Sequence, residues 1–252
     1  MTAFLLALQF MTVITLKTEL QADEEDFRRA RAWFAVAGAI LGAFLAAWAW
    51  LLGLALPPAV VAALVVAAWA LGTRFLHLDG VADTADALGT TAGPERALAI
   101  MKDTRVGAFA LAAVVLVLIT KFALVYSLAE AGWGAGLAAA LVIAPALGRA
   151  VASLLTGILP PARGKAGLGA ATIGHGGLGS ELICGLSALA AAVLLGGWRG
   201  LVAAALVAML ALALGLWFQK RIHGFTGDTL GTAIELSELL TLLVFTARIP
   251  GL

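Results

Sequence analysis

The stretch GAFALAAVVLVLITKFALVYSLA, residues 107–129, decides the fold class of this chain. Apart from Lys121 it carries no charged side chain. About 20 apolar residues in a helix cross the roughly 30 Å hydrocarbon core of a bilayer. Barrel strands alternate apolar and polar side chains, and this run does not alternate. The stretch therefore predicts a membrane-spanning α-helix.

The composition of the whole chain agrees with that prediction. Of its 252 residues, 62% are hydrophobic and 12% are charged, whereas soluble domains have about half and about a quarter. The net charge of +1 gives no electrostatic footprint for nucleic acid, and the single cysteine, Cys184, excludes an internal disulfide framework. A soluble globular domain, a disulfide scaffold and a nucleic-acid binder are therefore excluded.

Seven apolar runs predict an all-α, polytopic membrane bundle that forms one domain over residues 1–252. They lie near residues 32–56, 59–76, 107–129, 135–159, 181–196, 201–218 and 230–248. The apolar start, residues 1–16, has no basic n-region and no cleavage site, so we interpret it as a retained segment and not a signal peptide. That short segment lies in the interface, re-enters or spans a thinned bilayer. Gly38 and Gly42 predict a close approach of two helices.

Long and short connections alternate between these runs, which predicts that the long ones share one face of the membrane. The long connections hold most of the 16 Lys and Arg residues, and they are residues 17–31, 73–106, 160–180 and 219–229. Cytoplasmic loops carry an excess of Lys and Arg. The pattern predicts a multi-pass protein of the cytoplasmic (inner) membrane with its long loops on the cytoplasmic side.

The connection 73–106 contains HLDGVADTADALG, residues 77–89, which places three carboxylates on one helical face. Asp79, Asp83 and Asp86 stand at i, i+4 and i+7 without an intervening Lys or Arg. Like charges at this spacing repel, and a solvated charged face leaves the missing bases unexplained. Mg²⁺ takes hard oxygen ligands, usually one or two carboxylates together with substrate phosphates. The stripe therefore predicts a magnesium site, with His77 as a neighbouring catalytic candidate.

A basic segment, RALAIMKDTRVG at residues 96–107, follows this stripe. Arg96, Lys102 and Arg105 are candidates for binding phosphate oxygens, although membrane anchoring alone also explains such bases. Asp103 between them is a candidate metal ligand or general base. The glycine-rich loop of residues 162–177 could fold its backbone around an anion.

A second acidic string, RIHGFTGDTLGTAIELSEL at residues 221–239, enters the last apolar run. Asp228, Glu235 and Glu238 fall on one helical face. Asp228 is either functional or a helix N-cap, and the two glutamates are either functional or internally paired. Arg149 lies inside another run, where it needs either one of these glutamates or a ligand phosphate.

Three of these strings resemble the cobalamin (5'-phosphate) synthase family, also called adenosylcobinamide-GDP ribazoletransferases. They are FLHLDGVADTADALG (75–89), RALAIMKDTRVGAFA (96–110) and TGDTLGTAIELSELL (226–240). The resemblance extends more loosely to residues 34–38, 148–150 and 167–169. It implies a late step of vitamin B12 assembly, in which adenosylcobinamide-GDP and alpha-ribazole, or its 5'-phosphate, give adenosylcobalamin, or its 5'-phosphate, and GMP.

Under that resemblance the expected cofactor is Mg²⁺, and the third motif implies a second metal or corrinoid contacts for its acids. The expected metal ligands are Asp79, Asp83, Asp86 and Asp228. The expected catalytic residues are Asp83, Asp103 and His77. The expected residues for substrate and phosphate are Arg96, Lys102, Arg105, Arg149, Glu235 and Glu238.

Other functions agree with parts of the same sequence. A CDP-alcohol phosphotransferase of lipid synthesis uses the same metal chemistry, although its acidic motif continues into an Ala-Arg that this chain lacks after Asp83. An ion-coupled transporter would use Glu235 and Glu238 to carry protons. If the chain were a purely structural membrane subunit, the substitutions Asp79→Ala and Asp86→Ala would have no effect on function. Membrane lipid is an expected partner, nucleic acid is not, and the sequence is compatible with a monomer or a homo-oligomer.

Overall fold

The computed structural model describes residues 2–14, 23–89, 91, 93–163 and 178–247. The described chain is helical and contains no strand, which confirms the all-α prediction. A 3₁₀ turn, Arg31–Trp33, joins the second helix to the third. The ten helices of the described residues are α1 (Thr2–Met11), α2 (Glu24–Ala30), α3 (Phe34–Gly53), α4 (Pro58–Gly72), α5 (Leu76–Leu88), α6 (Pro94–Ile100), α7 (Ala108–Glu130), α8 (Ala135–Ile158), α9 (Gly179–Ile222) and α10 (Gly227–Thr246).

Several of these helices are long and apolar enough to cross a bilayer, which confirms a polytopic helical membrane protein. Five segments meet this criterion: Glu25–Gly53, Ala108–Glu130, Ala135–Ile158, Gly179–Ile222 and Gly227–Thr246. The helices α4 and α5, bent by 84°, make a sixth if they count as one broken span. The predicted runs 181–196 and 201–218 are the two arms of α9, which lie on either side of the non-helical residue Gly197, so their prediction as separate runs is confirmed.

The long helix α9 turns back on itself at Gly197. This residue has a φ of 56° and a ψ of −132°, a conformation that glycine adopts without steric cost. On either side of it, Glu181 lies against Gly157 and Gly215 lies against Leu155, so both ends of α9 meet the carboxyl end of α8. The arms 179–196 and 198–222 are therefore antiparallel, as expected for two runs joined by a tight turn.

The centre of the bundle is α8, which packs against α3, α9 and α10. Gly38 and Gly42 of α3 leave no room for a Cβ atom against the backbone of α8. Pro145 lies inside α8 and cannot donate a hydrogen bond to the carbonyl of Leu141, and that carbonyl oxygen faces Gly42. The predicted close approach at Gly38 and Gly42 is confirmed.

The long connections meet at one end of the bundle. Arg31 reaches both the end of α8, at Thr156, and the start of α9, at Glu181. The residues after α8 pair with the residues before α10, because the amide of Phe225 donates to the carbonyl of Pro160. The connection 73–106, expected as a loop, instead holds α5 and α6 and lies at this same end. Most of the connection 160–180 lies outside the described residues.

The N-terminal helix α1 lies along α2 and α3. Its Phe4 ring contacts Trp33 edge-on at 5.4 Å, and its Phe10 ring stacks on Phe34 at 6.0 Å. At about 1.5 Å per residue this helix is roughly 15 Å long. It is too short to cross a bilayer by itself.

Candidate active site

The carboxylate stripe lies on α5, as the spacing of its residues predicted. Arg74 and Phe75 have positive φ values, 53° and 59°, and they form the bend between α4 and α5. His77 is buried, Asp83 is half-buried and Asp79 is exposed, so the stripe runs from solvent toward the bundle. The bend turns an apolar helix into an amphipathic one that lies at the end of the bundle.

Close backbone contacts bring α5 against the start of α10. A Cβ atom on Gly80 would lie 2.6 Å from the carbonyl oxygen of Asp228, and one on Gly231 would lie 3.2 Å from the Cα atom of His77. The hydroxyl of Thr232 donates to the carbonyl of Gly80 at 3.0 Å. These contacts place Asp228 beside the carboxylates of α5, although 149 residues separate Asp79 from Asp228 in the chain.

We call Asp79, Asp83 and Asp228 the acid cluster. Asp83 lies on α5, outside the five long spans, and its pKa rises from 3.8 to about 7. Burial is the largest cause, and the negative charges of Asp228 and Asp79 come next. The positive charge of Arg163 opposes this rise. The Asp83 carboxyl therefore binds a proton at a much higher pH than an ordinary aspartate does.

Asp228 was considered as a helix N-cap, and that alternative is wrong. The N-cap of α10 is Thr226, whose hydroxyl accepts the amide of Thr229 while the Thr229 hydroxyl accepts the amide of Thr226. The Asp228 carboxylate instead accepts hydrogen bonds from Arg163 and from the Thr226 hydroxyl, each at 3.3 Å. Asp228 therefore belongs to the acid cluster.

Asp86, the third acid of the stripe, contacts the start of α7. Its two carboxylate oxygens accept the amide of Gly107 at 2.6 Å and the amide of Ala110 at 2.9 Å. A carboxylate is stabilised there because the first amides of a helix lack intrahelical partners and carry partial positive charge. Gly107 also leaves space for this carboxylate, since a Cβ atom would lie 2.5 Å from one of its oxygens. Asp86 thus ties α5 to α7.

His77 lies under the stripe and faces the interior of the bundle. Burial lowers its pKa from 6.5 to about 3, and the positive charge of Arg149 adds to this effect. Its Nδ1 atom has no hydrogen-bond partner among the described residues. The imidazole is therefore neutral at physiological pH.

The basic segment after α6 lies at the surface. The guanidinium of Arg105, whose side chain is 88% exposed, pairs with Asp103 at 2.6 Å. Hydrogen bonds from Arg105 lower the pKa of Asp103 to about 2. Arg96 and Lys102 are exposed. Within the described residues Arg96, Lys102 and Arg105 form no ion pair with the acid cluster, although Met101 of the same segment contacts Thr226, whose hydroxyl also donates to Asp228.

The ions inside the spans pair with one another. Lys121 donates to Glu235 at 2.6 Å and to Glu238 at 2.7 Å, and Arg149 pairs with Glu238. All four side chains are buried. The alternative in which Arg149 and the two glutamates pair internally is therefore confirmed. Lys121 was not predicted as their partner. The signal was a single base inside an apolar run, because such a base usually pairs with a buried acid on a neighbouring helix.

The carboxylates of the acid cluster are hard oxygen donors, the type of ligand that Mg²⁺ prefers. Carboxylates crowd together there, and the guanidinium of Arg163 does not prevent the rise of the Asp83 pKa. Among residues 2–14, 23–89, 91, 93–163 and 178–247, no three His, Cys, Asp or Glu side chains form a ready metal-binding group. Mg²⁺ needs only one or two protein carboxylates when substrate phosphates complete its ligands.

Comparisons with known proteins agree over nearly the whole chain. The family described as cobalamin-5-phosphate synthase matches residues 3–246. An adenosylcobinamide-GDP ribazoletransferase of Geotalea daltonii is 35% identical over 244 residues, which cover 97% of this chain and 96% of that protein. Proteins of the same name from Ectopseudomonas mendocina and Pseudomonas syringae pv. syringae are 40% and 38% identical over 246 residues each. These matches cover 94% and 96% of this chain, and 96% and 98% of those proteins. No solved structure matches the chain.

The match includes all three motifs on which the resemblance was based, and it does not favour a lipid phosphotransferase or a transporter. Two of these motifs, on α5 and α10, supply the acid cluster, and the third contains the basic segment and the first turn of α7. The chain therefore belongs to the cobalamin-5-phosphate synthase family, as its motifs predicted.

Proposed function

We propose that this chain transfers adenosylcobinamide phosphate from adenosylcobinamide-GDP to alpha-ribazole or its 5'-phosphate, and that it releases GMP. The names of its relatives support this activity. The single structural observation that carries it is the acid cluster, in which α5 and α10 gather Asp79, Asp83 and Asp228 where the long connections meet.

The reaction forms one phosphorus–oxygen bond and breaks another. The ribose hydroxyl oxygen of ribazole bonds to the phosphorus that carries the aminopropanol arm of adenosylcobinamide. The bond from this phosphorus to the bridging oxygen breaks, and the electron pair leaves with the phosphate of GMP. Such transfers depend mainly on positioning and on stabilising charge that develops on the leaving oxygen.

Asp83 is the group that we assign to the hydroxyl proton. A base works best when its pKa lies close to the working pH, and the Asp83 pKa of about 7 satisfies this condition. The carboxylate accepts the proton at one oxygen as the ribose oxygen attacks. His77 is neutral and buried beneath the stripe, where we assign it to holding α5 on α10.

Mg²⁺ is the cofactor that the acid cluster would hold, through Asp79 or Asp228, which leaves the Asp83 carboxylate free to accept the proton. When bound, it would neutralise charge on the diphosphate. Asp86 is left out of this set because both of its oxygens already accept amides of α7. Arg149, Glu235 and Glu238 are left out of substrate binding because they are buried and pair with one another and with Lys121.

In this proposal the basic segment captures substrate at the surface and does not take part in the acid cluster. Arg96 and Lys102 are exposed and lie in the part of the chain that leads from α5 to α7. Long-range attraction by exposed bases raises the rate at which anionic substrates arrive. We therefore assign these bases to capture of the phosphate-bearing substrates, and Arg105 with Asp103 to the same surface.

The excess of Lys and Arg in the long connections supports a cytoplasmic-membrane protein whose acid cluster faces the cytoplasm. Sealed inner-membrane vesicles test the activity and its side together. Inside-out vesicles supplied with adenosylcobinamide-GDP, alpha-ribazole and Mg²⁺ are expected to release GMP to the outside, whereas right-side-out vesicles are not. Addition of a chelator should stop the release.

Asp83→Asn is expected to lower GMP release at least about 100-fold, the usual size of a general-base contribution. Asp26→Asn, the same change on α2, serves as the matched control and should keep normal activity. Wild-type membranes that release no GMP but turn over a CDP-alcohol would overturn the proposed function. Equal rates for Asp83→Asn and wild type would remove Asp83 from the mechanism.

A further inference from the structure

Arg163 pairs with Asp228 of the acid cluster, and it lies at the start of the glycine-rich loop 162–177 that the sequence offered as an anion-binding segment. The chain just before it is fixed to the chain before α10, since the amide of Ala162 donates to the carbonyl of Phe225 at 2.9 Å. The amide of Phe225 in turn donates to Pro160 at 2.9 Å. Gly224 permits this approach, because its φ is +158° and a Cβ atom would overlap the carbonyl of Pro160.

Among the residues that the structure describes, the guanidinium of Arg163 makes one hydrogen bond. Its Nη2 atom donates to the Asp228 carboxylate at 3.3 Å, which is long for a charge-assisted hydrogen bond. The Nε atom is buried and has no partner among the described residues. The side chain is 23% exposed, so its charge lies partly sheltered from water. A guanidinium whose other planar donors have no partner in the described part of the chain is suited to a second anionic partner.

Other bases at this end of the bundle lack that position. Arg105 is almost fully exposed and already forms a chelating pair with Asp103. Arg221 donates to the carbonyl of Leu88. Arg163, in contrast, acts directly on the charge of Asp83 and pairs with Asp228. It is thus the base of the described chain that lies among these carboxylates.

We infer that Arg163 binds the diphosphate of the nucleotide-bearing substrate, and that Asp228 holds its guanidinium in place before that substrate arrives. This inference rests on the proposed function and names a residue of the same site. The planar donors of Arg163 match two phosphate oxygens at once. The long bond to Asp228 is replaced by bonds to the diphosphate, and the pinned backbone at Ala162 keeps the side chain within reach.

The inference predicts opposite effects on two ligands. Arg163 offsets the negative charge of the acid cluster, so its removal should strengthen the binding of a divalent cation. The same change removes donors to the diphosphate, so the binding of GDP should weaken. A purely structural role for Arg163 would weaken both, because a distorted site holds neither ligand well.

The experiment uses the full-length protein in detergent and the variants Arg163→Ala and Arg163→Lys. We expect Arg163→Ala to raise the Kd for GDP with Mg²⁺ at least tenfold and to lower the Kd for Mn²⁺ without nucleotide severalfold. Arg163→Lys should give an intermediate GDP affinity, since lysine keeps the charge but not the planar fork. Equilibrium dialysis reports GDP, and the electron paramagnetic resonance signal of free Mn²⁺ reports the cation.

Kinetics and a matched control complete the test. The KM for adenosylcobinamide-GDP should rise in Arg163→Ala while the KM for alpha-ribazole stays unchanged, and added guanidinium ion should restore part of the lost affinity. Arg29→Ala, which removes an exposed base of α2, should change none of these values. Unchanged GDP affinity, or a parallel loss of GDP and Mn²⁺ binding, would overturn the inference. If wild type itself released no GMP, the proposed function would fail instead.

Discussion

The three acids of one helical stripe have three different environments. Asp79 is exposed, Asp83 is crowded by like charges, and Asp86 accepts two amides at the start of α7. All three are aspartates on one helical face, so their separate roles arise from what packs against each. The raised pKa of Asp83 has a consequence for stability as well as for proton transfer.

Asp83→Asn is expected to raise the melting temperature of the metal-free protein at pH 8. The folded-state pKa of Asp83 is about 7 and its ordinary value is 3.8, so the folded state holds this proton more tightly than the unfolded state. Wild-type stability therefore falls as pH rises from about 3.8 to about 7. The asparagine variant lacks this loss. Thermal unfolding followed by tryptophan fluorescence measures the difference.

Two comparisons make this prediction specific. At pH 3, below both pKa values, this titration no longer favours the variant, so its advantage over wild type should shrink. Mg²⁺ should stabilise wild type at pH 8 more than it stabilises Asp83→Asn. Asp26→Asn should show neither behaviour. An Asp83→Asn protein that is less stable than wild type at pH 8 would contradict the crowding of charges at this site.

At the scale of elements, α5 is the platform of the site. It joins α10 through the glycines Gly80 and Gly231 and joins α7 through Asp86. The glycine contacts decide how closely the stripe approaches Asp228. A helix placed even 1 Å farther away would separate groups that the reaction needs together, since catalysis is sensitive to such displacements.

Gly80→Ala is expected to reduce GMP release at least tenfold while the protein stays folded. The new methyl group would lie 2.6 Å from the Asp228 carbonyl oxygen, and backbone cannot move aside as a flexible side chain can. The steady-state rate of GMP release and the melting temperature measure the two effects.

The matched control is Gly185→Ala, also inside a helix, because a Cβ atom at Gly185 would meet nothing within 4 Å. This control should keep wild-type activity and gain slightly in stability, as alanine favours helix over glycine. Normal GMP release by Gly80→Ala would show that the close contact of α5 with α10 does not position the site.

At the scale of the whole molecule, buried ion pairs connect the spans. Lys121 of α7 bonds Glu235 and Glu238 of α10, and Arg149 of α8 pairs with Glu238. Lys121 also lies 4.4 Å from the ring centre of Trp69 in α4. Two bases and two acids leave no net charge, which is the condition for keeping such groups out of water.

Lys121→Met is expected to destabilise the protein by about 3–5 kcal/mol, the usual cost of leaving a buried charge without its partner. In this variant Glu235 and Glu238 share one base, Arg149. The double variant Lys121→Met with Glu235→Leu should recover much of this loss, because it leaves the balanced pair of Arg149 and Glu238. Chemical unfolding in mixed micelles, followed by tryptophan fluorescence, measures both.

The single variant Glu235→Leu serves as the control for loss of an acid. It should also destabilise the protein, since Lys121 and Arg149 would then share Glu238 alone. Additive effects of the two single changes would contradict the network, because groups that contact each other should couple.

The family and the helical membrane fold could be predicted from the sequence. A long apolar run is by itself enough to predict a membrane helix. The acids of α5 lie on one face because a helix repeats every 3.6 residues. The close approach at Gly38 and Gly42 was predicted for a similar reason. The two arms of α9 were likewise predicted as separate runs, whereas the bend between α4 and α5 could not be predicted because it depends on the backbone conformations of Arg74 and Phe75.

The sequence by itself determined the class of protein, the spans and the acidic motifs, since these depend on residues close together in the chain. Only the tertiary structure decided which charges meet. It paired Lys121 with Glu235 and Glu238, placed Asp86 at the start of α7, and brought Arg163 to Asp228, where its charge also acts on Asp83. The physical reason is that an unpaired charge in a low-dielectric interior is strongly destabilising, so each buried charge needs a partner nearby. Helix packing decides which residues, distant in the chain, become neighbours.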